Sequence, residues 1–94
     1  MKDVKDLSKF LRESREKAGL TQMDVADRLG YSSAQFISNW ERGLSSPPMK
    51  TLNTLAQMYK VGTEEIFQSI LAITISTTEE SLRRQYKSVV RKRA

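Results

Sequence analysis

The 94-residue chain predicts an all-α fold, and three observations carry the prediction. Apolar residues recur at three- and four-residue spacing in short successive blocks, as one face of a helix requires. All four glycines fall between such blocks, where a helix end can turn left-handed without a Cβ penalty. Threonine, serine or proline stands at the head of most blocks, and these residues start helices by accepting from, or dispensing with, an unpaired amide.

Taken in order, residues 1–6 are polar and read as a loose lead-in. The pattern over 6–18 is helical: Leu7, Leu11, Ser14 and Ala18 share a face with Phe10 beside it, and Gly19 ends the helix. Thr21 heads a second helix in which Gln22, Val25, Ala26 and Leu29 follow the i, i+3, i+4, i+7 rule, and Gly30 stops it. Ser32 or Ser33 caps a third helix of about ten residues, roughly 15 Å long. Its inward face is Ser33, Ile37 and Trp40, its outward face Gln35, Ser38, Asn39 and Arg42, and Gly43 ends it. A tryptophan can also stack on an unpaired base, but helical spacing with Ile37 assigns Trp40 to the core.

Residues 43–48 form a loop by composition. A fourth helix over 48–60 buries Leu52, Leu55, Ala56 and Tyr59, joined by Met49. Gly62 or Thr63 caps a fifth, Glu64 and Glu65 suit its positive end, and Ile66 and Phe67 close the core. Residues 68–75 admit two readings. They extend the fifth helix, which their first part favours, or form a short strand, since Leu71, Ile73 and Ile75 alternate with Ala72 and Thr74. Thr77 or Thr78 then caps a last, basic amphipathic helix with Glu79 and Glu80 in its first turn and a stripe of Leu82, Tyr86, Val89 and Val90. The organisation expected is a helical domain over 1–68 and a C-terminal extension over 69–94 that serves dimerisation and ends in a basic tail.

Composition narrows the chemistry. There is no cysteine, hence no disulfide, thiolate metal site or cysteine nucleophile, and no histidine, the usual general base and zinc ligand. No enzyme, cofactor or metal is expected. No apolar run reaches transmembrane length, so a cytoplasmic protein without membrane attachment is expected. The net charge is +5, but residues 79–94 hold six basic and two acidic residues and supply most of it. Global basicity is therefore poor evidence for nucleic-acid binding by the helical domain; the placement of individual groups has to supply it. A core of this size is modest, and dimerisation would support it.

The outward face of the third helix offers that placement. Glutamine and asparagine can bond adenine through two hydrogen bonds, arginine can bond guanine, and serine suits several bases. Polar groups on one face are also what any solvated helix shows, so the face by itself is weak evidence. The constellation is more specific. Thr21-Gln22, Val25-Ala26, Leu29-Gly30, Ile37-Ser38 and Glu41-Arg42-Gly43 together resemble the helix-turn-helix of the Cro/phage-repressor class, the XRE family, with the unit over about 21–43 and the likeness over about 7–67. The resemblance implies a five-helix repressor-like domain whose third helix is the recognition helix. The segment 31–36 is one residue longer than the usual family turn, which leaves open which of Ser33, Ala34 and Gln35 reaches the bases first.

The resemblance also implies roles. Arg15 and Glu41 match positions that form a partly buried structural ion pair; an exposed helix charge would contribute little. Gln22 contacts a phosphate and braces the recognition helix. Gln35, Ser38 and Asn39, with Ser33 or Ala34, read base edges in the major groove, and Arg42 reaches a phosphate or a base. Ser46 and Lys50 anchor the DNA backbone, although Lys50 is equally readable as a solvated lysine. The expected function is a sequence-specific double-stranded DNA-binding transcriptional regulator, a repressor acting as a homodimer on an inverted repeat. The alternative is an antitoxin-like protein-interaction module that also binds DNA, its extension wrapping a protein partner. A third reading is an RNA-associated coactivator. The basic tail can pack across a dimer, lie along phosphates or fray; membrane binding by its short stripe ranks last.

Overall fold

A computed structural model of the chain describes residues 3–93, with the side chain of Arg93 excepted. Five α-helices make up the described residues, with one 3-10 turn and no strand: α1 Val4–Lys17, α2 Gln22–Leu29, α3 Gln35–Glu41, the 3-10 turn Met49–Thr51, α4 Leu52–Tyr59 and α5 Thr63–Arg93. The all-α expectation is met. Leu11, Val25, Ala26, Ile37, Trp40, Leu55, Ala56, Tyr59, Ile66, Ile70 and Ile73 form one core to which every helix contributes.

Each start and stop has a local cause. Asp3 caps α1, its Oδ1 accepting from the Asp6 amide at 3.0 Å, so the helix begins two residues before the expected position. Met1 and Lys2 of the expected lead-in lie outside the described residues. Thr21 opens α2 with a reciprocal capping box: Thr21 Oγ1 accepts from the Asp24 amide at 3.0 Å, and Asp24 Oδ2 accepts from the Thr21 amide at 2.8 Å. The bond from the Thr21 amide foremost, and the Thr21 side chain second, favour the ionised carboxylate and hold the Asp24 pKa below its ordinary 3.8. Gly30 ends α2 at φ 83°, and the next amide, of Tyr31, donates back to Ala26 O at 2.8 Å.

Four expectations are corrected. Neither serine caps α3: Ala34 holds the cap position without a side-chain bond, and Ser33 Oγ accepts from the Gln35 amide at 3.3 Å, so Ser33 is exposed rather than inward. The long turn thus consumes the first residues of the expected helix, leaving α3 seven residues, about 10 Å at 1.5 Å per residue. Met49 is exposed, because the chain enters α4 through the tighter 3-10 turn, whose buried member is Thr51. Thr77 and Thr78 cap nothing: of the two readings of residues 68–75 the helical extension is the one observed, and α5 runs unbroken for 31 residues. The Thr77 hydroxyl instead donates to the carbonyls of Ile73, at 3.0 Å, and Thr74, at 3.3 Å, which satisfies it without ending the helix.

The two halves of α5 differ in kind. Ile66, Ser69, Ile70 and Ile73 are buried against the domain, where Ser69 Oγ, fully buried, shares its hydrogen between Leu7 O at 3.2 Å and Glu65 O at 3.3 Å. From Leu82 to Lys92 every residue is exposed. α1 packs along α5, α3 packs on α1, α4 packs on both α1 and α5, and α2 packs on α3.

These ends and this core give three predictions. Lys60, the one described non-glycine residue with positive φ, closes α4 at φ 58°, so Lys60→Gly should raise unfolding stability by about 0.5–1 kcal/mol in urea titration, whereas Ile73→Ala should lower it by about 2–5 kcal/mol. Because the folded-state pKa of Asp24 is depressed, its contribution is present above the ordinary carboxylate pKa of 3.8 and fades as pH falls through the lower folded value. The difference in urea midpoint between the wild type and Asp24→Asn should accordingly be greatest above that pH and shrink below it.

Candidate nucleic-acid interface

The third helix is held at both ends by chemistry that leaves its outer face free. Ile37 and Trp40 sink into the core, 0% and 3% exposed, and fix its rotation. At its start, Tyr31 bridges turn and helix: its ring lies 4.9 Å from that of Phe36 and packs edge-on against Trp40 at 6.1 Å. At its end stands Glu41, whose side chain is 4% exposed.

Burying a carboxylate is costly unless it is paired and hydrogen-bonded. Glu41 is both. Arg15 of α1 donates from Nε to Oε2 at 2.7 Å and from Nη2 to Oε1 at 3.1 Å, a two-pronged pairing. Its third nitrogen, Nη1, donates to Leu20 O at 2.8 Å, which fastens the α1–α2 connection. Gln22 Nε2 adds a further donor to Glu41 Oε1 at 3.0 Å. One carboxylate thereby joins α1, α2 and α3. The hydrogen bond to Glu41, opposed by burial, raises the Arg15 pKa and keeps the guanidinium charged. Nearby, burial first and the negative charge of Glu41 second push the Tyr59 phenol pKa well up, so it stays protonated.

This bracing places the polar face. Gln35 and Arg42 are exposed, and Ser38 and Asn39 are half-buried, on the side of α3 opposite the core. Gln35 Nε2 donates to Asn39 Oδ1 at 3.0 Å. The bond holds two amides one turn apart as a unit that presents Gln35 Oε1 as acceptor and Asn39 Nδ2 as donor, the complement of an adenine edge. Ser33 is exposed and Ala34 half-buried in the turn before the helix. Sequence reasoning passed over Phe36, which is 53% exposed beside Gln35; its place immediately after Gln35 and before the inward Ile37 was the available signal. An exposed aromatic ring at the edge of such a face can contact a thymine methyl.

The remaining expected residues lie around this face with different attachments. Gln22 is half-buried and already spends one amide hydrogen on Glu41. Ser46 is held from α5: Thr74 Oγ1 donates to Ser46 Oγ at 2.8 Å, which leaves the Ser46 hydrogen available to a phosphate. Lys50 is exposed in the 3-10 turn. Among the described residues no cluster of acidic groups is arranged to hold a metal ion, and no helix is long and apolar enough to cross a membrane.

The clasp gives a prediction. Glu41→Ala leaves Arg15, itself 8% exposed, buried without its counter-charge, and should cost about 3–5 kcal/mol in urea unfolding. The apolar double replacement Arg15→Met/Glu41→Leu should cost less than that single change, because it leaves no unpaired charge.

Residues 6–66 match the family described as a helix-turn-helix domain. The chain is 40% identical over 58 residues to the HTH-type transcriptional regulator ImmR of Bacillus subtilis, covering 62% of this chain and 45% of the relative. It is 46% identical over 59 residues to the HTH-type transcriptional regulator y4dJ of Sinorhizobium fredii, covering 63% and 74%. It is 31% identical over 64 residues to the HTH-type transcriptional regulator DdrOP3 of Deinococcus deserti, covering 68% and 49%. The chain spans about half the length of ImmR and DdrOP3. No solved structure matches it. With a family match over most of the chain, on the residues that build α1 to α4 and the start of α5, the protein belongs to the XRE-type helix-turn-helix family of DNA-binding transcriptional regulators.

Proposed function

We propose that the protein is a cytoplasmic repressor that binds an inverted-repeat operator in double-stranded DNA as a homodimer. The observation that supports this best is the paired amide face of Gln35 and Asn39, free of the core and set on a helix braced from three sides. In this reading α3 enters the major groove. Gln35, Ser38 and Asn39 bond base edges, Ser33 or Ala34 meets the groove at the helix start, and Phe36 meets a thymine methyl. Arg42 reaches a phosphate or a base. Gln22, with its remaining amide hydrogen, and the Ser46 hydroxyl donate to phosphates while Lys50 adds a positive charge there. These backbone contacts set position and orientation; the base edges carry sequence. Repression then consists of occupying the operator in place of RNA polymerase.

Selection of bound duplexes from a random pool at near-physiological salt tests the reading. Enrichment of an inverted repeat is the expected result, and salt-sensitive binding to every duplex alike would reduce the DNA role to charge. On the selected site, Gln35→Ala should cost about 1–3 kcal/mol and relax preference at one base pair, whereas Lys50→Ala should weaken binding to all sequences about equally and flatten the salt dependence.

A further inference from the structure

The outer half of α5 carries a second apolar face. Leu82 follows Ile73 by nine residues, about two and a half turns, so the stripe of Ile75, Leu82, Tyr86 and Val89 points away from the side that docks Ile66, Ile70 and Ile73 on the core. Ile75 and Leu82 are each 58% exposed, Tyr86 and Val89 each 62%. Thr74, Ile75, Thr78, Leu82 and Tyr86 line a continuous shallow groove along the helix, edged by Glu79, Arg83 and Lys87. Ile75, Leu82 and Val89 recur every seven residues, the spacing at which one helix packs along another.

We propose that this face pairs with the same face of a second copy, antiparallel, with the two-fold axis at Leu82. The inference rests on the dimeric operator-binding reading and supplies its geometry. Charge selects the occupant and its direction. The stripe is flanked by acidic Glu79 at its start and by basic Arg83 and Lys87 beyond, the charged residues that edge the groove. A parallel pair would set the basic ends side by side. In an antiparallel pair the same flank faces itself in reverse, so Glu79 of each copy meets Arg83 and Lys87 of the other, and Ile75 meets Val89. The Glu79–Arg83 pair within one helix, at 2.9 Å, is exposed on both sides and readily exchanged for contacts across the axis.

The pairing also fixes a distance. Ile70, the middle of the docked half, lies twelve residues before Leu82, about 18 Å along the helix at 1.5 Å per residue. A two-fold axis at Leu82 therefore sets the two helix-turn-helix domains about 36 Å apart along the shared axis, on opposite outer sides of the pair, because each docks on the face of α5 away from the stripe. On this geometry the helix that buries the apolar stripe also sets the distance between the two domains.

Cysteine pairing in the full chain tests the proposal, since the native sequence has no cysteine to interfere. Light scattering in the absence of DNA should give twice the 10.8 kDa chain mass, and Leu82→Arg should reduce it to the monomer. Under mild oxidation Ile75→Cys mixed with Val89→Cys should form a disulfide-linked heterodimer, while neither variant cross-links to itself. Self-cross-linking of each variant would establish a parallel pair and overturn the proposal. A monomeric wild type would overturn it too, whether its stripe then bound a different protein or anionic vesicles. The DNA reading is judged separately: a monomer that still selects a half-site keeps that reading and loses the pairing, whereas a dimer with the expected cross-links that selects no sequence keeps the pairing and loses the reading.

Discussion

The pairing of Arg15 with Glu41 is the constraint on which the rest of the structure depends. A carboxylate 4% exposed at the end of a seven-residue helix would be untenable alone. It is tolerated because the planar guanidinium answers both its oxygens and the Gln22 amide adds a third bond. The same guanidinium binds the carbonyl of Leu20, so the α1–α2 connection cannot shift without disturbing the end of α3. A short helix has little propensity to hold itself; α3 is held by its neighbours, through Ile37 and Trp40 beneath it and Glu41 behind it.

That arrangement frees the outer face from any structural duty. Gln35 and Asn39 bond to each other rather than to the core, so base recognition would exchange no buried contact for a new one. The ends of α3 differ in this respect. Its C-terminal end is clasped by charge, while its N-terminal end, without a side-chain cap, leans on the ring of Tyr31 against Phe36 and Trp40. Aromatic packing accommodates the turn between Leu29 and Gln35 where a hydrogen-bonded cap would have dictated its geometry.

The fifth helix joins two tasks in one element. Its first half completes the core and, through Thr74, holds the loop that carries Ser46. Its second half shares no buried side chain with the domain, yet it continues the same backbone hydrogen-bond ladder. Helix propagation is easy once a nucleus exists, and the docked half provides that nucleus. A stiff helix leaving a folded domain also carries any contact made on its outer stripe back to the domain as a fixed distance, which a flexible linker could not do.

The sequence by itself determined the all-α class, the positions of Gly19, Gly30 and Gly43 at helix ends, the inward residues Val25, Ala26, Ile37, Trp40, Leu55 and Tyr59, and the polar face of α3. These are properties of local spacing and local backbone freedom, and a single chain displays them without its partners in space. The family resemblance named Arg15 and Glu41 from sequence, but the convergence of Gln22 and Leu20 on the same pair is a matter of three elements meeting. Tertiary structure alone decided that Met49 is exposed, that neither Ser32 nor Ser33 caps α3, and that residues 63–93 form one helix. Thr77 and Thr78 carry the local signal of a helix start, and residues 71–75 alternate as a strand does. Packing of Ile66, Ile70 and Ile73 on the core overrode both, because the burial of one helical face across several turns outweighs the preference of any one residue for a cap or a strand.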